Sequence, residues 1–279
     1  MLQELCISCS KHPVFRRVAR WGFRIPGVGG GLRNVAEFIV PPDERIWIQV
    51  PSGTAKGLWL KVLPRWEPGY LTGCAEEGMN EALCRYLKPG DCFYDVGAHI
   101  GFYSLIAARL IGQSGHIVAF EPDPGNAETV RENAAKNGFP GISVVCAAIS
   151  DRDEVVRFHR SAQDGPSRMS GMLIRENATE IQESEIIPCR AVSLDSFSSR
   201  HETPNLVKID VEGAELQVLE GARSLLRQKQ PVLIIEVHDQ QTLPSVRSLL
   251  SGVGYVVEPI ELKKREARAR HFVASSSLN

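Results

Sequence analysis

Several charged side chains in this sequence stand where an apolar run meets a glycine or proline turn, the position at which an open α/β sheet presents groups to a ligand. The first is in Phe93-Tyr94-Asp95-Val96-Gly97-Ala98-His99-Ile100-Gly101-Phe102. Gly97 lets a ligand approach the backbone, and Gly101 allows tight strand–helix packing. The spacing is G-x-x-x-G, without the G-x-G-x-x-G that cradles a pyrophosphate, and Asp95 suits a cationic group better than a phosphate. About twenty residues on, His116-Ile117-Val118-Ala119-Phe120-Glu121 runs into Pro122. A carboxylate at that distance can accept hydrogen bonds from both hydroxyls of a ribose. Either acid alone is equally a surface residue at a strand end; in register over two consecutive βα units the pair points to a nucleoside-bearing ligand. A third segment, Val207-Lys208-Ile209-Asp210-Val211-Glu212-Gly213-Ala214-Glu215, puts Lys208, Asp210 and Glu212 on one strand face, near a reacting centre. The bland alternative for the acids is charge facing a helix dipole. The fourth, Ile234-Ile235-Glu236-Val237-His238-Asp239, ends a strand with Glu236 and His238 on one face. A histidine there is either a satisfied polar residue or a general base.

These residues need strands to hold them. From Asp91 onward strand-like and helix-like segments alternate, the pattern of a parallel sheet covered by helices. Strands are expected at 92–96, 116–121, 142–147, 206–211 and 232–237, and their Val/Ile/Ala content fits burial on both faces. Helices are expected at 102–111, 124–137 and 214–227; Pro124 and Gly138 mark the start and stop of the second. Residues 46–50 and 58–63 read as a hairpin and 76–87 as a helix, ended by Lys88-Pro89-Gly90-Asp91. Two extra strands, 155–158 and 186–192, flank a polar loop at 161–184, a length usually functional or disordered. The chain divides into an N-terminal extension, 1–87, capping a catalytic domain, 88–279. Segment 14–21 mixes apolar and basic residues and reads as a short amphipathic helix, packed on the main domain or, as the alternative, set on a partner or a membrane surface.

Of the 279 residues 43% are hydrophobic and 23% charged, which is globular composition, and a net charge of −1 gives no global pull toward nucleic acid. The N-terminus lacks the pattern of a secretory signal, and no apolar run approaches the roughly 20 residues that span a bilayer. The seven cysteines are odd in number. Cys92 and Cys146 sit in strand-like runs as buried free thiols, so the set reads as reduced and cytoplasmic. Cys6, Cys9 and His12 make a metal half-site with no second Cys-x-x-Cys to complete it.

In this order the motifs resemble the FkbM family of S-adenosylmethionine-dependent methyltransferases over residues 58–274. Gly73-Cys74-Ala75-Glu76, Phe120-Glu121-Pro122 and Ala148-Ile149-Ser150-Asp151 join the Asp95, Asp210 and His238 segments in that match. The resemblance implies a class I (Rossmann-like) sheet of seven strands with the last antiparallel, 253–257 and 271–274 supplying the final two. It implies S-adenosyl-L-methionine as cofactor. Asp95, Gly97, Ala98, His99 and Gly101 would hold its methionine and ribose portion, Glu121 the ribose, and Ala148 the adenine. Glu76 would reach in from the extension. His99 departs from the family, which usually has Asn there.

The implied reaction is O-methylation of a hydroxyl on a sugar, glycolipid or natural product. His238 or Asp210 would act as base, with Glu212 and Lys208 positioning the acceptor. Asp210, Glu212, Glu236 and His238 could instead hold magnesium. A binding protein that keeps the cofactor pocket without turnover is a further alternative. Lys263-Lys264-Arg265-Glu266-Ala267-Arg268-Ala269-Arg270 reads as a solvated turn between the last strands rather than an acceptor site for an acidic polymer.

Overall fold

A computed structural model describes residues 44–64, 67–72, 77–160, 171–174, 186–260 and 270–276. Cys6, Cys9, His12, segment 14–21, Glu76, most of the 161–184 loop and nearly all of the basic stretch lie outside the described residues. Arg45–Asn279 forms one compact unit, distinct from Met1–Glu44.

The described residues begin with a hairpin, β1 (Ile46–Gln49) and β2 (Trp59–Val62), then two helices, α1 (Pro68–Thr72) and α2 (Glu77–Tyr86). The central alternation follows: β3 (Cys92–Val96), α3 (Phe102–Ile111), β4 (His116–Phe120), α4 (Pro124–Asn137), β5 (Ile142–Val145). Then come β6 (Ala148–Ile149), β7 (Glu154–Arg160), β8 (Gly171–Ile174), β9 (Ile186–Val192) and α5 (Leu194–Ser198). The last part is β10 (Leu206–Ile209), α6 (Glu215–Glu220), α7 (Arg223–Gln228), β11 (Val232–Val237), α8 (Leu243–Gly252), β12 (Tyr255–Pro259) and β13 (Arg270–Ser276).

Seven strands form the main sheet in the order β12-β13-β11-β10-β3-β4-β5. All pairs from β11 to β5 are parallel, and β13 is antiparallel to both neighbours. This is the class I methyltransferase sheet. The alternating side chains of β3 feed two cores. Cys92, Tyr94 and Val96 pack with Phe120, Val207, Leu225, Leu250 and Phe272 on one face. Phe93 packs with the hairpin, α2 and α3 on the other. Eight of the ten residues of α3 are buried because it is held between the sheet and that hairpin–helix layer. Burial of each large apolar side chain in these layers contributes roughly 1.5–3 kcal/mol.

β6 to β9 make a separate four-stranded sheet; β8 falls inside the segment read from sequence as loop. The single helix expected at 214–227 is two, α6 and α7, broken at Gly221. A Cβ there would stand 2.1 Å from the Ser150 carbonyl oxygen, so the close approach of the β6 turn ends the first helix. Cys92 is buried as expected, but Cys146 is exposed, because β5 ends at Val145. Among the described residues no helix is long and apolar enough to cross a membrane.

Candidate active site

The carboxyl ends of β3, β4, β10 and β11 surround a cleft lined by Tyr70, Gly97, His99, Glu121, Asn126, Ala148, Asp210, Glu212, Glu236 and His238, among others. At its floor the chain leaves β3 through Gly97, whose φ of +78° excludes most L side chains. A Cβ there would fall 1.8 Å from the Asp210 carbonyl oxygen, so glycine is what lets the ends of β3 and β10 close. The N–H groups of Gly97 and Ala98 both donate to the Phe120 carbonyl at 3.0 Å, tying the loop to β4. Gly101 (φ +82°) starts α3, and a Cβ on it would meet Val130 at 2.9 Å. His99, between them, is also left-handed (φ +51°), a conformation Asn and His adopt more readily than most residues.

Beneath the loop lies a buried charge network. Lys208 and Asp95 are register partners on adjacent strands, 2% and 0% exposed. The Lys208 ammonium donates to the Gly97 carbonyl at 3.1 Å and lies 3.5 Å from Asp95 and 3.1 Å from Asp210. Ser104 donates to Asp95 at 2.6 Å, and the Tyr103 ring lies 5.0 Å from the ammonium. Burial alone would raise the Asp210 pKa, but the Lys208 charge, with His238 and His271, outweighs it and lowers it. Lys208, expected to position the acceptor, and Asp95, expected at the cofactor, are both enclosed below the cleft, with the Lys208 ammonium against Gly97 and Asp210.

On the β4 side, Glu121 is buried and accepts the His99 N–H at 2.8 Å and the Asp123 N–H at 2.9 Å. Burial is the main cause that pushes its carboxyl up to about 8. A ring of contacts reaches it from the start of the unit. Arg45 donates to both oxygens of buried Glu67 and to the Asn126 side chain at 2.9 Å. Glu67 in turn lies 3.3 Å from the His99 ring, and the His99 backbone N–H donates to Glu121.

On the β11 side, His238 sits among four carboxylates. Its Nδ1 lies 2.9 Å from Glu215 Oε1, and Glu215 is fully buried. A carboxylate only accepts, so this contact places a proton on Nδ1. Its Nε2 lies 3.4 Å from Glu212, 3.4 Å from Glu236 and 3.6 Å from Asp210. Burial opposes a charged imidazole, but the Glu215 hydrogen bond and the charges of Glu212, Asp210 and Glu236 raise His238 to about 9. Glu212, at φ +53°, is pushed up to about 7, by burial first and then by its acidic neighbours. Glu236 also faces His271, 2.9 Å away and buried.

Of the residues singled out from sequence, Gly97, His99, Glu121, Ala148, Asp210, Glu212 and His238 line one cleft, and Asp95, Ala98, Gly101 and Lys208 lie outside its lining. Sequence reasoning missed Tyr70, Asn126, Arg45 and Glu67, which carry no motif of their own. Glu215 had no role assigned from sequence, and its place as the first residue of α6 gave no sign that it would reach His238. A second depression, of about 610 Å³ between α6 and α8, is lined by Glu220, Arg223 and small or apolar residues and lies away from the strand ends.

Residues 95–257 match the methyltransferase FkbM domain, more than half of the chain and all of the elements that line the cleft from Gly97 to His238. The chain belongs to the FkbM methyltransferase family. Hexuronic acid methyltransferase AglP of Haloferax volcanii is 27% identical over 68% of this chain and 74% of its own. The 31-O-demethyl-FK506 methyltransferase FkbM of Streptomyces tacrolimicus is 30% identical over 61% of this chain and 75% of its own. The solved structure of PH0793 from Pyrococcus horikoshii covers 93% of this chain and 84% of that one, with a TM-score of 0.50 at 13% identity, a likeness of fold alone.

The cofactor of an FkbM methyltransferase is S-adenosylmethionine, and the cleft fits it. A buried carboxylate ends β4, apolar Ala147, Ala148 and Ile149 form one wall, and the lining includes several acids and no Lys or Arg. Such a lining favours a ligand that carries a sulfonium and an ammonium against a single carboxylate.

Proposed function

We propose that this methyltransferase transfers the methyl group to a hydroxyl of a sugar, glycolipid or natural product, with His238 as the general base. The observation that carries this reading is His238 lining the cleft, its Nδ1 fixed by buried Glu215 and its Nε2 on the side of Asp210, Glu212 and Glu236. The cofactor supplies a methyl group on a cationic sulfur, ready for in-line displacement. Glu121 would accept the ribose hydroxyls, and the Gly97–Gly101 loop would hold the methionine portion. Lys208 holds Asp210 ionised and low in pKa, which makes Asp210 a poor proton acceptor. Of the two bases weighed from sequence, His238 therefore remains. Glu215 keeps its tautomer, and the surrounding carboxylates stabilise the imidazolium that forms when it takes the hydroxyl proton. The hairpin with α1 and α2 acts as a cap that secures the cofactor loop through Glu67.

Two relatives support an oxygen-rich acceptor by name, a hexuronic acid methyltransferase and one that acts on 31-O-demethyl-FK506. Asp210, Glu212 and Glu236 together repel an acceptor carboxylate, so a neutral or cationic polyol fits better than a free uronate. Four free thiols among the described residues suit a reducing compartment. The test is methyl transfer from labelled cofactor to a panel of neutral, amino and carboxylated glycosides, followed as a pH profile. A rising limb of kcat/KM near pH 9 supports His238; a plateau already reached near pH 7 transfers the role to Glu212.

A magnesium-assisted reaction has one observation in its favour: Asp210, Glu236 and His238 offer ligand atoms within 4.8 Å of one another. Activity abolished by chelation and restored by magnesium would establish it.

A further inference from the structure

We propose that Cys92, His116 and Glu202 form a binding site for a thiophilic divalent cation, zinc foremost, at the amino-terminal edge of the central sheet. The site lies at the opposite ends of the strands from the cofactor cleft and does not rest on the methyl-transfer reading.

Cys92 and His116 are the first residues of β3 and β4 and stand directly opposite each other in the parallel register, so their side chains share a face. Glu202 arrives from the connection into β10. Its carbonyl accepts the Tyr94 hydroxyl at 2.6 Å and faces the Cys92 thiol at 3.8 Å, which fixes the residue beside the pair. Its carboxylate lies 3.6 Å from His116 Nδ1. The thiol sulfur, the imidazole nitrogen and a carboxylate oxygen all fall within 4.8 Å of one another. Zinc bonds of about 2.0–2.3 Å to sulfur, nitrogen and oxygen would draw them together by about 1 Å.

A second feature points the same way. His116 Nε2 lies 2.9 Å from the Ser143 hydroxyl on β5. That contact orients the ring and leaves Nδ1 toward the thiol and carboxylate, the outer-shell arrangement that histidine ligands use. A mixed sulfur, nitrogen and oxygen set favours zinc over magnesium or calcium. Cys92 is buried, while the His116 and Glu202 side chains are 38% and 57% exposed, so a cation enters from solvent and keeps a water as fourth ligand. As the sulfur–metal bond forms, the thiol proton leaves to solvent; nothing is oxidised or reduced. The bound ion would clamp the starts of β3, β4 and β10, whose far ends carry Gly97, Glu121 and Asp210.

The experiment uses the full chain, stripped with chelator and dialysed. Zinc is titrated by calorimetry, and cobalt(II) by absorption, where thiolate ligation gives an intense near-ultraviolet charge-transfer band. The expected result is one zinc per chain competing with cobalt, a cobalt complex carrying that band, and loss of both in C92S and in H116Q. S143A should weaken zinc by about 10–100-fold while keeping the band. H238Q, which alters the acidic cleft, should leave both unchanged. Because Cys92 is buried, a C92S protein that fails to fold leaves H116Q and S143A to decide. A cobalt complex without the band, zinc binding that survives H116Q, or zinc lost in H238Q instead, overturns the proposal.

Discussion

Glu121 should make cofactor binding release a proton. In the free protein its carboxyl is pushed up to about 8, chiefly by burial, so at pH 7 it is mostly protonated. Ribose hydroxyls donating to it favour the ionised form, and binding must expel that proton. Expulsion costs about 1.4 kcal/mol for each unit of pH below 8. Two hydrogen bonds to a carboxylate contribute roughly 1.5–3 kcal/mol each. The net loss on Glu121→Gln at pH 7 is therefore roughly 2–5 kcal/mol, about 30- to 4,000-fold in affinity. The glutamine amide also sets a donor against the His99 or Asp123 N–H that the carboxylate now accepts. Calorimetry with S-adenosylhomocysteine in buffers of different ionisation enthalpy counts the protons. The wild-type protein should release about one at pH 7, with affinity rising to a plateau above pH 8. The Gln variant should release about one proton fewer at pH 7 and lack the part of the rise that belongs to Glu121. In the free protein the sign is the reverse of a salt-bridged acid: stability from this group is full below about pH 4.5 and fades as pH rises through about 8. Unchanged affinity in the variant, or a proton count that does not fall, would refute the assignment of Glu121 to the ribose.

Three further outcomes follow from the geometry. Gly97→Ala should prevent the β3 and β10 ends from closing and abolish cooperative unfolding, whereas Gly213→Ala, at φ +100° with open space around it, should cost only about 1–2 kcal/mol; denaturant titration compares them. Lys208→Met leaves Asp95 buried and uncompensated and should cost about 3–5 kcal/mol, partly recovered in the Asp95→Asn double variant; purely additive losses would exclude their coupling. His238→Asn should lower turnover by roughly 10²–10⁴ while S-adenosylhomocysteine binding stays within a few-fold. Because His238 is raised to about 9, its contribution to stability is full below about pH 6.5 and lost as pH rises through 9, and the Asn variant should lack that alkaline loss.

The sheet was legible because its central strands are rich in apolar residues and because β3, β4 and β10 run into Gly97, Glu121 and Asp210. Helix α4 was legible from Pro124 in its first turn and from the stop at Gly138. What alternation cannot give is depth. It put Lys208 on one face with Asp210, but only the closeness of α3, with Tyr103 and Ser104 beside Lys208 and Asp95, decides that these two lie under the cleft. The break at Gly221 is set by the Ser150 carbonyl, some seventy residues away in sequence and invisible in a helical pattern. Arg45 and Glu67 were illegible for the same reason: their meaning lies in His99 and Asn126, and nothing local marks them.

The position of β13 has a consequence for how the molecule is made. β13 lies between β11 and β12, both of which precede it in the chain. During synthesis β11 must wait with one edge unpaired, and that edge carries buried Leu233, Ile234 and Ile235. β12 has no partner at all until residues 270–276 have emerged. A ribosome adding about 5–20 residues per second leaves the edge open for seconds, long enough to template pairing with another chain. The nascent methyltransferase is thus most prone to aggregate just before the segment that completes its sheet appears.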